Sequence, residues 1–116
     1  VTSETHRTDV EIIGKLGQLE YKYGQIERGR TVMENIVTEY PKKLDVWLIY
    51  ADMEIAAEQF DRVRTIFERI LTLSSLSSKK SKAVFKKYLN FEKEHGTPKS
   101  IEHVKTLAME YVAKNQ

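Results

Sequence analysis

Apolar positions recur every three or four residues along the chain, and they are densest between Trp47 and Leu71, which reads WLIYADMEIAAEQFDRVRTIFERIL. Trp47, Tyr50, Met53, Ile55 and Ala57 lie at or near helical spacing. Val63, Ile66, Phe67, Ile70 and Leu71 resume the period after Gln59 and Phe60. The stretch predicts two helices joined by a short connection. Each carries one apolar stripe, so the pair closes on one side and leaves apolar surface that needs neighbours.

The same period supplies those neighbours. Residues 1–7 (VTSETHR) are polar and aperiodic and predict a frayed lead-in; residues 8–116 predict a helical domain, with hairpins over about 8–40, 44–72 and 78–113. Thr8 and Glu11 have the spacing of a capping box. Ile12, Ile13, Leu16, Leu19 and Tyr23 form the first stripe, which Gly24 is expected to end as a left-handed cap. Helix two is expected from about Ile26 to Tyr40, stopped by Pro41. Asp45 is expected to cap a third helix that carries Trp47 and runs to about Glu58, and Asp61 to sit at the positive end of the fourth. After Leu71 the serines of TLSSLSSKKSK mark a linker, and Ser77 or Ser78 is expected to cap helix five, which runs to about His95. Thr97 then caps helix six, with Pro98 in its first turn and an end near Val112.

The chain repeats itself. Ile13, Leu16, Leu19 and Glu20 recur as Trp47, Tyr50, Met53 and Glu54, and again as Phe85, Tyr88, Phe91 and Glu92. In the second helices Arg30, Met33 and Glu34 return as Arg64, Phe67 and Glu68, while Val104, Lys105, Thr106 and Leu107 echo Val63, Arg64, Thr65 and Ile66. A period in the mid-thirties with two helices per copy predicts an all-α, right-handed solenoid of about three hairpins and six helices.

Composition narrows the function classes. The 19 Lys and Arg against 17 Asp and Glu leave a net charge of +2, too balanced to argue for nucleic-acid binding from the total. There is no cysteine, which excludes disulfides and cysteine-ligated metal. No apolar run approaches the roughly 20 residues of a membrane helix, so a soluble protein without a membrane partner is expected. His6, His95 and His103 have no metal-ligand spacing. No nucleophile, base and orienting residue group together, and no glycine-rich loop cradles phosphate. The expectation is a chain that is not an enzyme and takes no cofactor or small-molecule substrate.

The order aromatic, two residues, aromatic, two residues, apolar residue and Glu in the first helix, followed by Arg and Phe-Glu-Arg in the second, resembles the half-a-TPR (HAT) repeat. The middle copy matches best. The first has Ile13 and Leu16 where aromatics belong, and the third has Ala108 and Met109 in place of Phe67 and Glu68. The stretches YPKKLDVWLIYADMEI, VRTIFERIL, SSKKSKAVFKKYLNFEKEHGT and VKTLAMEYV are similar to the C-terminal HAT region of the large S1-repeat ribosomal RNA processing proteins. That resemblance implies a C-terminal piece of a longer nuclear and nucleolar factor, needed for pre-rRNA processing and 18S small-subunit assembly. Its implied partners are other pre-ribosome assembly proteins, within the small-subunit processome and U3 snoRNP, with pre-rRNA or snoRNA contact possible. A HAT scaffold of mRNA splicing or 3′-end processing is the alternative within the same family.

Two sets of residues stand out. Lys79, Lys82, Lys86 and Lys93 fall within roughly a quarter of the helix circumference, with Lys80 and Lys87 widening the stripe. The plain reading is a solvated outer face; the functional one is contact with RNA phosphates or an acidic partner. The second set is the repeat motif: Leu16, Leu19, Glu20, Arg30, Trp47, Tyr50, Glu54, Arg64, Phe67, Glu68, Phe85, Tyr88, Phe91, Glu92 and Lys105. These are expected to be structural, the aromatics as core and each Glu of a first helix facing the Arg or Lys of the second within one hairpin. The face made by the first helices is the expected docking surface. Ser74, Ser75, Ser77 and Ser78 beside lysines have the chemistry to accept phosphate, but loop composition is the better explanation of them.

Overall fold

A computed structural model describes residues 3–73 and 76–114, with side chains from Glu11 onward. Its elements are α1 (Ser3–Tyr23), α2 (Ile26–Glu39), α3 (Leu44–Ala56), α4 (Phe60–Leu71), α5 (Ser78–His95) and α6 (Pro98–Lys114). The fold is all-α, with six helices and no strand among the described residues.

Several boundaries differ from expectation for local reasons. The helix begins at Ser3, so Ser3–Arg7 are helical where a lead-in was expected; no proline or glycine there interrupts propagation. Thr8 consequently lies inside α1 and is not its cap. Gly24 is not left-handed: its amide simply continues to the Glu20 carbonyl at 3.0 Å. The left-handed residue is Glu58, at φ 58°, in the short connection between α3 and α4. Asp45 sits in the first turn of α3, two residues after the Lys43 cap, where its charge still suits the helix dipole.

Other caps follow the sequence. The Ser77 hydroxyl accepts from the Lys80 amide at 3.2 Å. Thr97 and Ser100 cap reciprocally: Thr97 Oγ1 accepts from the Ser100 amide at 3.2 Å, and Ser100 Oγ from the Thr97 amide at 2.8 Å. Pro98 opens α6, where a missing amide costs nothing. Ser74 and Ser75 lie outside the described residues.

The chain divides into two compact units, residues 1–66 and 67–116. In the first, α1 and α2 pack closely and both meet α3. Their approach depends on glycine. A Cβ at Gly29 would meet the Tyr21 ring at 2.5 Å and the Gly17 carbonyl oxygen at 2.9 Å, and one at Gly17 would meet the Met33 sulfur at 3.1 Å. The core of this unit is Met33, Ile36, Val37, Val46, Trp47, Tyr50, Ala51, Met53, Val63 and Ile66. The Trp47 indole donates to the Pro41 carbonyl at 2.9 Å, so the ring is both buried and polar-satisfied.

In the second unit α5 packs on α6, and the core is aromatic. Phe67 stacks on Tyr88 with centroids 4.8 Å apart and planes 13° off parallel, and Phe91 tilts against Phe67 at 6.3 Å. Phe85 meets Tyr111 edge to face at 5.4 Å. Val84, Ile70 and Val104 complete the buried apolar set.

Candidate functional site

Two charged members of the repeat motif, Arg30 and Glu54, are deep in the first unit. Glu54 has no exposed surface, and Arg30 is 7% exposed. Arg30 Nε donates to Glu54 Oε2 at 2.6 Å and Nη2 to Oε1 at 3.0 Å, a two-bond fork, while Nη1 reaches Glu27 one turn back on α2. The Glu54 bond, first among the causes, raises the Arg30 guanidinium above its ordinary range.

Beside this pair, Tyr50 donates to Glu34 Oε2 at 2.7 Å. Burial first, and that carboxylate bond second, push the Tyr50 hydroxyl well above the usual phenol range. The Tyr21 hydroxyl is also buried near Glu54 and Arg30, without a partner at hydrogen-bond distance. Burial, then the Glu54 charge, raises it in the same direction.

The expected pairing within a hairpin is therefore corrected. Arg30 on α2 binds Glu54 on α3, which belongs to the following hairpin, because α2 and α3 pack together and present these side chains to one another. Glu20 instead accepts from the Gln25 amide at 3.3 Å, at the turn into α2. Arg64 reaches Asp61 at 3.1 Å, and the exposed Lys105 lies 3.7 Å from Glu102 on its own helix. The Tyr–Glu bond recurs: Tyr88 donates to Glu68 at 3.2 Å as Tyr50 does to Glu34.

A second correction concerns α1. Leu16 and Leu19, expected as structural positions of the repeat motif, are 54% and 52% exposed, alongside Ile12, Ile13 and Tyr23. The helix meets α2 through Gly17 and Tyr21 instead, which turns the aliphatic stripe away from the core. Leu16, Leu19, Glu20, Glu27, Arg28, Thr31 and Val32 line a shallow groove of about 660 Å³ there. By contrast the aromatics Trp47, Tyr50, Phe67, Tyr88 and Phe91 are buried, which removes them from any role in base stacking, and Glu92 is buried as well. Phe85 is half-buried.

The lysines of α5 are where the sequence put them. Lys79, Lys80, Lys82, Lys86 and Lys93 are exposed and Lys87 half-buried. The α5 first turn carries no acidic residue. His95 ends α5, its ring 5.4 Å from Phe91, and His103 is exposed on α6. Among the described residues no three metal-ligating side chains cluster, and no helix is long and apolar enough to cross a membrane.

One feature of the charge escaped the sequence total. Residues 1–66 hold nine basic and twelve acidic residues, and residues 67–116 hold ten and five, so the units carry −3 and +5. A balanced net charge conceals a divided one.

The class defined by paired helices, a mid-thirties period and motif side chains buried between successive pairs is a helical-repeat protein. A family model described as the PRP39 N-terminal HAT repeat matches residues 10–115. The chain belongs to the HAT-repeat family. More particularly, it is 47% identical over 103 residues, 89% of its length, to the mouse Protein RRP5 homolog. It is 45% identical over 91% of its length to rRNA biogenesis protein rrp5 of Schizosaccharomyces pombe, and 43% over 88% to that of Arabidopsis thaliana. Its repeats are thus similar to a short segment of these RRP5-type relatives. The chain spans only 5% to 6% of the length of these relatives. A lower likeness, 35% over 67% of the chain, links it to the pre-mRNA-splicing factor clf-1 of Neurospora crassa.

Proposed function

We propose that this chain is a non-catalytic protein-interaction scaffold of a nuclear, nucleolar pre-rRNA processing factor that serves small-subunit assembly. The observation that supports it most is the extent of the likeness to RRP5 homologues, which runs through nearly the whole chain. The interior agrees with that reading. Arg30, Glu54, Tyr50 and Glu34 satisfy one another inside the fold, so they hold helices in register and present no free acid, base or nucleophile to a substrate. Surface is what remains for function, and it is divided between an aliphatic stripe on α1 and a basic helix α5.

A second reading, a scaffold of splicing, is favoured by the clf-1 likeness and by the PRP39 description of the family model. Its lower identity and coverage place it second. Purification of the tagged parent protein from nuclear extract separates the two. Recovery of pre-rRNA assembly proteins with U3 RNA is expected; recovery of spliceosomal proteins and RNAs in their place overturns the ribosomal reading.

A further inference from the structure

We propose that the α5–α6 face of the second unit binds single-stranded RNA directly, with phosphates along the α5 lysines and a base seated in the adjoining aromatic groove. This goes beyond the scaffold role and does not depend on it.

Lys79, Lys82, Lys86, Asn90 and Lys93 follow one another at steps of three or four residues, all exposed. They form a seam of donors about 21 Å long on one side of α5. None of the four lysines has a carboxylate at ion-pair distance among the described residues. The one exposed acid on α5, Glu94, lies in its last turn, 3.6 Å from His95. Three of the helix's lysines, Lys79, Lys80 and Lys82, crowd its N-terminal end, where positive charge opposes the backbone dipole. That arrangement costs the free chain stability, and a bound anion removes the cost.

Beside the seam, Ser78, Ser81, Lys82, Phe85, Ala108, Tyr111 and Val112 line a groove of about 460 Å³. Lys82 belongs to both features. The Phe85 and Tyr111 rings stand edge to face at 5.4 Å and both line the groove with Lys82, so a flat apolar ligand entering it meets aromatic rings within reach of a cation. Cations that track a backbone beside aromatic rings that take a base are the means by which proteins hold unpaired strands. An acidic peptide satisfies the lysines and leaves the groove unused; a duplex keeps its bases stacked inside. The +5 charge of residues 67–116, against −3 for residues 1–66, directs a polyanion to this unit.

Fluorescence anisotropy of the whole chain with a labelled oligouridylate, at low and at physiological salt, tests the proposal. With three or four phosphates engaged, log affinity is expected to fall against log salt with a slope of about −2 to −3. Changing Lys79, Lys82 and Lys86 to Glu lowers affinity by about tenfold or more and flattens that slope. Tyr111→Leu, which keeps apolar bulk against Phe85, lowers affinity about fivefold with the slope unchanged. Changing Lys15 and Lys42, exposed on the first unit, to Glu leaves binding as it was. Thermal melts of each variant confirm that the fold is kept. Absence of binding at low salt, or an equal loss in the Lys15 and Lys42 variant, overturns the proposal. So does equal competition by polyglutamate, which assigns the lysines to an acidic protein, or binding of duplex RNA as tight as single strand with Tyr111→Leu silent. The triple lysine variant keeps its assembly-protein partners if the scaffold reading holds, so the two readings fail separately.

Discussion

The two units solve one packing problem with different side chains. Residue 33 of the first and residue 67 of the second occupy the same repeat position, and both are fully buried. Met33 fills space beneath the glycine-mediated crossing of α1 and α2. Phe67 stacks on Tyr88. What the units share is the tyrosine that reaches a glutamate of the preceding helix pair, Tyr50 to Glu34 and Tyr88 to Glu68. The polar bond fixes register, and the apolar partner adapts to its neighbours. A repeat can therefore vary its core and still stack.

The sharpest way to break this comparison is to remove the charge that the first unit buries. Arg30→Met leaves the Glu54 carboxylate buried without its partner, and urea denaturation should show a loss of about 3 to 5 kcal/mol. Arg30→Met with Glu54→Leu should recover most of it, since an apolar pair has no desolvation cost to offset. No recovery in the double variant would mean that Arg30 stabilises through Glu27 or by packing.

A methyl group at position 29 should come next. Gly29→Ala drives Cβ into Tyr21 and the Gly17 carbonyl, and about 1 to 3 kcal/mol should be lost in the same assay. Phe67→Met then makes the second unit resemble the first. Volume is nearly kept and the stack on Tyr88 is lost, so about 1 kcal/mol is expected, and a silent change would show that the stack contributes nothing beyond burial.

Tyr50→Phe should cost more than Tyr88→Phe, each about 1 kcal/mol, because the Tyr50 bond is shorter at 2.7 Å against 3.2 Å. The smallest effect belongs to Tyr21→Phe, expected to be neutral or slightly stabilising, since it removes a buried hydroxyl with no partner. The pH dependence has a definite sign. Tyr21 and Tyr50 ionise less readily folded than unfolded, so their contribution is complete below the ordinary phenol value near ~10 and is lost as pH rises above it. Melting temperatures taken into alkali should fall less steeply in Tyr21→Phe than in the parent chain.

Periodicity located the helices to within a few residues and exposed the repeat, because helical spacing and caps are local properties. Ser77, Thr97 and Pro98 were legible for the same reason. The partner of Arg30 was not. A repeat position says which residues are equivalent, and nothing in the period distinguishes contact inside a hairpin from contact with the next one. The α1 stripe misled in a different way. Leu16 and Leu19 have helical spacing, yet Gly17 and Tyr21, on another side of that helix, permit the closest approach. The small residue decided the packing face, and hydrophobicity alone does not report it. The α5 lysines were plain in the sequence; the aromatic groove beside Lys82 needed α6 to be placed. The division of charge between residues 1–66 and 67–116 was countable from the start, and gained meaning once the units were known.

The Tyr–Glu bond closes over sixteen residues in the first unit and twenty in the second. The bond is indifferent to the length of chain it spans, because the helices, not the connection, set where its two ends meet. That makes the join between hairpins the natural place for evolutionary drift or an engineered insertion. Doubling a flexible loop costs only about 0.6 kcal/mol, less than the bond and the aromatic stack beside it supply together. A reporter peptide or an epitope could be threaded between α4 and α5, clear of the Pro41 carbonyl that holds Trp47 at the other join.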